Sequence, residues 1–122
     1  MPQFSERSLK NLAQCDERLQ RVAHEAIKHF DFTVICGHRG EAEQNAAYKA
    51  GHSRLKFPQS KHNKMPSLAF DACPFPIDWN DHKRFQIMGK VMKEAAASLG
   101  IKITWGGDWH SFVDMPHFEV VE

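Results

Sequence analysis

The sequence predicts a single α+β domain over residues 1–122, in which a small, mostly antiparallel sheet packs with helices. Three observations predict it. Apolar residues recur first at helical spacing and then, in short runs, at strand spacing, in the order helices, strand, helix, strand, helix, strand, strand. The length of 122 residues matches one ordinary domain and suffices for a core that needs no covalent staples. Neither an internal repeat, a low-complexity tract nor an interdomain linker interrupts the pattern.

Each element has its own signals. Between Ser8 and Phe30, Leu9, Leu12, Leu19, Val22, Ala26 and Ile27 lie at helical intervals, with Asp16 placed to cap a second helix. Asp31 to Cys36 is rich in β-branched and aromatic residues and reads as a strand, ended by Gly37-His38-Arg39-Gly40. Glu41 to Ala50 reads as a helix closed by Gly51. His52 to Ser67 shows no period and contains Pro58 and Pro66, and connections of that length are usually functional or disordered. Leu68 to Cys73 reads as a strand, closed by Pro74 and Pro76. Asn80 or Asp81 caps a helix whose apolar face is Phe85, Met88, Val91, Met92, Ala95 and Leu99, with Gly100 at its end. Ile101 to Trp105 alternates as a strand, Gly106-Gly107 breaks it, and a last strand starts at His117.

Composition narrows the function. The apolar share of 42% and the charged share of 25% are those of a soluble globular protein. A formal charge of +1 argues against a nucleic-acid partner, and the basic stretch from Lys49 to Lys64, with Arg54, Lys56 and Lys61, reads as a solvated loop or as an aid in approaching an anionic polymer. Cys15, Cys36 and Cys73 are odd in number and lack metal spacing, which reads as reduced thiols in a protein made in the cytoplasm. The N-terminal residues lack the apolar core of a signal peptide, and no run is long enough to insert in a membrane.

Eight histidines are many for this length. His24, His29, His52 and His82 have ordinary surface readings, whereas His62 and His117 stand out by their company. Asp71 lies nine residues after His62 inside an apolar strand, flanked by Leu68, Phe70 and Cys73, where a carboxylate is costly without a positive partner. A metal ion supplies such a partner; a turn cap or an arginine pair is the equally weighted alternative. Asp114-Met-Pro-His117-Phe-Glu119 then places carboxylates on either side of a histidine, with His117 and Glu119 on one strand face. Two imidazole nitrogens and one carboxylate oxygen form a catalytic zinc set that leaves a fourth position open. Asp114, just before the strand, is placed to act as general base, and Glu119 to orient His117.

Ser60-Lys61-His62, Pro66-Ser67-Leu68-Ala69-Phe70-Asp71, Trp105-Gly106-Gly107-Asp108-Trp109 and Asp114-Met115-Pro116-His117-Phe118-Glu119 occur in this order. Together they resemble the M15 group of zinc peptidases, and within it the phage endolysins that cleave the L-alanyl–D-glutamate bond of peptidoglycan. The resemblance runs from about Phe32 to the C-terminus. It implies a Hedgehog/D-Ala-D-Ala peptidase-like fold with one Zn2+ on the sheet, held by His62, Asp71 and His117, and Asp114 as the catalytic carboxylate. It further implies that Arg39 holds substrate and stabilises the oxyanion, a role its fixed donors suit, with an ordinary salt bridge as the plainer reading. Gln44 also matches a recurrent family position, and the resemblance makes it a candidate for contact with substrate. Trp109 is read either as core packing or as an apolar wall against the peptide. His110 is read as a loop residue beside the site. The interval between His62 and Asp71 is longer than in many members.

Three functions follow from the resemblance. The first is host lysis by a monomeric bacteriophage endopeptidase, made in the host cytoplasm and released to the periplasm by a separate holin. The second is a D-alanyl-D-alanine carboxypeptidase or dipeptidase. The third, a noncatalytic zinc-containing wall-binding module, predicts loss of the general base, and both Asp114 and Arg39 are present.

Overall fold

A computed structural model describes residues 2–122. The chain forms helices α1 (Glu6–Ala13) and α2 (Glu17–Ala26), strand β1 (Phe32–Cys36), helix α3 (Glu41–Lys49), strand β2 (Ala69–Pro74), helix α4 (His82–Ser98), and strands β3 (Ile103–Trp105) and β4 (His117–Val120). Short 3-10 turns cover Lys61–Asn63 and Gly106–Asp108. The four strands make one antiparallel sheet in the order β1-β2-β4-β3.

The helix starts are those the side chains dictate. Ser5 caps α1, and Asp16 caps α2 by accepting from the Arg18 amide at 2.9 Å. Of the two caps expected for α4, Asp81 is the one used. One expectation needs trimming: the alternating run from Ile101 is a strand only from Ile103, because Gly100 takes a left-handed φ of 69° and the chain must turn before it can pair.

One face of the sheet builds the core. Phe70 and Phe118 are opposite each other on β2 and β4, ring centroids 5.6 Å apart, and both are fully buried. Val34, Ala72 and Val120 share that burial with Leu19 and Val22 of α2 and Met88 and Met92 of α4. Burying each large side chain contributes about 1.5–3 kcal/mol, so this face fixes the register of β2 against β4. The period-two alternation then sends Asp71, His117 and Glu119 to the opposite face. Between Val34 and Cys36 a bulge shifts the β1–β2 register and brings Cys36 opposite Asp71.

Candidate metal centre

Asp71 and His117 face each other across the β2–β4 ladder. His62 arrives from the irregular segment, where the turn Lys61–Asn63 is capped by the Ser60 hydroxyl accepting from the His62 amide at 3.2 Å. Residues 52–67 show no period because side-chain bonds to backbone, rather than a repeating ladder, hold this segment. The Asn63 amide donates to the Arg39 carbonyl at 3.0 Å, and the Arg39 amide donates to the His62 carbonyl at 2.8 Å.

Three donor atoms converge. His62 Nε2 lies 3.2 Å from His117 Nδ1, and Asp71 Oδ1 lies 3.3 Å from each nitrogen. The far nitrogens of both rings have acceptors. His62 Nδ1 is 2.8 Å from the Gly37 carbonyl, and His117 Nε2 is 2.7 Å from Glu119 Oε1. Each of those nitrogens therefore carries the proton in the neutral ring, which leaves a lone pair on Nε2 of His62 and on Nδ1 of His117. Two lone pairs and a carboxylate oxygen point at one spot, and Asp71 Oδ1 is buried without a hydrogen-bond donor.

That arrangement repels itself unless a cation sits among the three atoms. Ligands about 2.0–2.1 Å from a tetrahedral zinc are roughly 3.3–3.4 Å apart, which is the spacing seen. The residues thus fit a zinc ion. The electrostatics agree: burial disfavours charge on His62, yet the Asp71 carboxylate beside it lifts its pKa to about 10. Burial likewise opposes charge on His117, and its bonds to Asp71 and Glu119 overcome it and raise the pKa. Burial raises the Asp71 carboxyl, but the two imidazoles hold it well below the usual carboxylate range. The pocket demands positive charge.

Around the triangle stand the supports. Arg39 Nη2 donates to Asp71 Oδ2 at 3.1 Å, so the arginine pair and the metal-facing oxygen coexist on one carboxylate. Asp114 is brought beside Asp71 and His117 because its amide donates to the Gly106 carbonyl at 3.0 Å. Only glycine fits at position 106, since a Cβ there would collide with the Asp114 carbonyl oxygen. Burial, then the charge of Asp71, raise the Asp114 carboxyl above its ordinary pKa. Glu119 is gripped on its other oxygen by Lys61 at 3.1 Å.

The chain matches the family model for phage L-alanyl-D-glutamate peptidase over residues 1–121. It belongs to that family. It is 36% identical over 116 residues to the L-alanyl-D-glutamate peptidase of Escherichia phage T5, covering 91% of this chain and 84% of the relative. It is 26% identical over 109 residues to the peptidoglycan L-alanyl-D-glutamate endopeptidase CwlK of Bacillus subtilis (strain 168), covering 79% of this chain and 64% of CwlK. The fold matches the crystal structure of the Serratia marcescens L-Ala D-Glu endopeptidase ChiX with a TM-score of 0.85 at 28% identity, over 99% of this chain and 90% of that one. The family and the α+β fold expected from the sequence are both found.

The expected site residues come together, with one relocation. Gln44 was expected to touch substrate, but it is fully buried behind Arg39. Its Oε1 accepts from Arg39 Nη1 at 3.0 Å and its amide donates to Ser53 Oγ at 3.0 Å and to the Leu55 carbonyl at 2.6 Å. It positions Arg39 and the following loop. Trp109 leans over His117, centroids 5.2 Å apart, and lines the groove, while Trp105 is core. His52 and His110, read as ordinary surface residues, also line that groove. Cys36 was not singled out, yet its thiol lies within 4.8 Å of donor atoms of His62 and Asp71. The bulge that puts it there has no sequence signal.

Proposed function

We propose that this chain is a zinc-dependent endopeptidase that hydrolyses the L-alanyl–D-glutamyl bond of peptidoglycan stem peptides. In this reading residues 1–122 act as one monomeric catalytic domain, with His62, Asp71 and His117 holding the ion. The observation that carries it is the triangle of donor atoms from His62, Asp71 and His117, 3.2–3.3 Å on each edge, whose carboxylate corner has no hydrogen-bond donor. The family and the named activities of its T5, CwlK and ChiX relatives support the choice of bond.

A zinc ion, when bound, supplies Lewis acidity that lowers the pKa of water toward neutrality and polarises a carbonyl. The chain's own groups do the rest. Asp114 takes the proton of the attacking water and returns it to the leaving amine, and its raised pKa suits both transfers. Arg39 has two of its donor nitrogens fixed by Asp71 and Gln44, which aims its planar fork at the groove where the oxyanion develops. Glu119 and the Gly37 carbonyl keep both imidazoles in the tautomer that presents a lone pair. Trp109 forms an apolar wall above His117.

The protein is made in the host cytoplasm and reaches the periplasmic wall after a separate holin opens the inner membrane. No described helix is long and apolar enough to cross a membrane. The test of the reaction is mass spectrometry of Gram-negative peptidoglycan digested with and without a chelator. New N-terminal D-glutamate, lost on chelation and restored by zinc, is expected. Release of D-alanine or D-alanyl-D-alanine instead would move the scissile bond to the other end of the stem. No cleavage by a folded, zinc-loaded sample would leave only a wall-binding role.

A further inference from the structure

Two grooves meet at the metal centre. One, of about 600 Å3, passes His62 and His117 and is walled by Arg54, Lys61 and His110. The other, of about 700 Å3, opens beside Arg39 and Asp71 and is walled by Ile35, Phe112, Met115 and Trp79. Arg39, His52, Phe112 and Asp114 line both, so a chain lying across the site has one half in each groove. The first groove carries charges of both signs, Arg54 and Lys61 against Asp108 and Glu119, and the second carries the exposed ring of Trp79.

Trp79 is 52% exposed, yet its ring is not loose. It stacks on the buried Phe85 with centroids 5.7 Å apart and planes 24° apart. A large aromatic ring pinned on one face and open on the other is a ready platform, because little side-chain freedom remains to be lost on binding. The C–H face of a pyranose is weakly positive and apolar, and it complements the negative face of an indole.

In peptidoglycan the stem peptide hangs from an N-acylated amino sugar through its L-alanine, whereas the residues beyond the L-alanyl–D-glutamyl bond bear carboxylates. Resting on the endopeptidase reading above, we propose that Trp79 is a sugar-stacking residue. The groove that carries Trp79 takes the glycan-proximal half of the substrate, and the peptide beyond the bond lies along the groove that passes His62 and His117. Glycan-attached stems are thereby preferred to free peptides.

The test compares two substrates with the same peptide, one bearing the disaccharide on L-alanine and one N-acetylated in its place. Trp79→Ala should lower kcat/KM about tenfold on the sugar-bearing substrate, through KM, and less than about twofold on the peptide. Trp79→Phe should recover most of the loss. Equal loss on both substrates means that Trp79 only braces α4 through Phe85, and no loss on either means that the sugar lies elsewhere; both overturn the proposal. Calorimetric titration with the disaccharide–L-alanine product separates this from the reaction itself. Saturable binding that Trp79→Ala abolishes is expected even if neither substrate is cut, which would sink the endopeptidase reading alone. Absence of binding to the native protein overturns the platform even where cleavage proceeds.

Discussion

The metal centre has a sheet-borne half and a loop-borne half, and they are built in different ways. Asp71, His117 and Glu119 sit on β2 and β4, where the strand ladder and the buried pair Phe70–Phe118 set every position. Arg39, His62 and Asp114 sit on connections, where each is held by one or two bonds to a backbone group: the Gly37, Gly106, Arg39 and His62 carbonyls. The sheet half is robust because its geometry is shared with the core. The loop half depends on small cross-links, so a single lost bond should loosen it without unfolding the domain.

The sharpest contrast comes from one residue of each half. His117→Ala removes a donor and leaves Asp71 Oδ1 facing an incomplete set; zinc by elemental analysis and activity should both vanish. Asp114→Ala should keep full zinc and an unchanged melting temperature, yet lose about 10²–10⁴-fold in kcat. Turnover near normal in Asp114→Ala would remove it from the proton transfers. Loss of zinc in that variant would instead make it a ligand.

A smaller effect tests orientation within the sheet half. Glu119→Gln retains an acceptor for His117 Nε2 but drops the charge, and it also breaks the pair with Lys61. Zinc affinity, measured by competition with a chromophoric chelator, should fall about 10–100-fold while the fold stays intact. Unchanged affinity would mean that the strand alone orients the ring.

The contrast also explains what the sequence could reveal. Asp71 was legible because a carboxylate inside an apolar strand is costly without a partner, and His117 and Glu119 because strand alternation puts both on one face just after Asp114. The helices were legible from spacing and caps such as Asp16. The route of residues 52–67 was not, since nothing in its composition says that Ser60 caps a turn or that Gln44 is buried beneath Leu55. Gln44 was noticed through resemblance, and only the folded chain shows that it serves Arg39. The bulge that turns Cys36 toward Asp71 left no trace in the residue pattern. Long-range hydrogen bonds between a side chain and a distant carbonyl have no period to read.

Gln44→Ala therefore probes the loop half directly. It leaves Arg39 Nη1, the Asn63 amide and the Leu55 carbonyl short of a partner in a buried place. A loss of about 1–3 kcal/mol in urea unfolding is expected, with a raised KM as Arg39 loosens and zinc content unchanged. Native stability and KM together would show that Asp71 holds Arg39 unaided.

The smallest effect lies farthest from the metal, where the α1–α2 junction is tied to the loop that ends before β2. The Asp16 amide donates to the Ser67 carbonyl at 2.8 Å, the Ser67 amide donates to the Gln14 carbonyl at 2.8 Å, and Ser67 Oγ lies 3.3 Å from the Gly37 carbonyl that orients His62. The side-chain bond from Arg18 holds the Asp16 carboxyl below its ordinary pKa, against a smaller effect of burial. A pKa depressed on folding means that the cap is fully effective above the unfolded value and is lost as pH falls through the folded one. Asp16→Ala should thus cost about 1 kcal/mol at neutral pH, and the gap to the native protein should close below the usual aspartate range. If the gap in urea midpoints stays constant down to strong acid, the cap acts without its charge. If zinc affinity falls along with stability, the junction reaches the loop-borne half through Ser67, and the two halves are less independent than their construction implies.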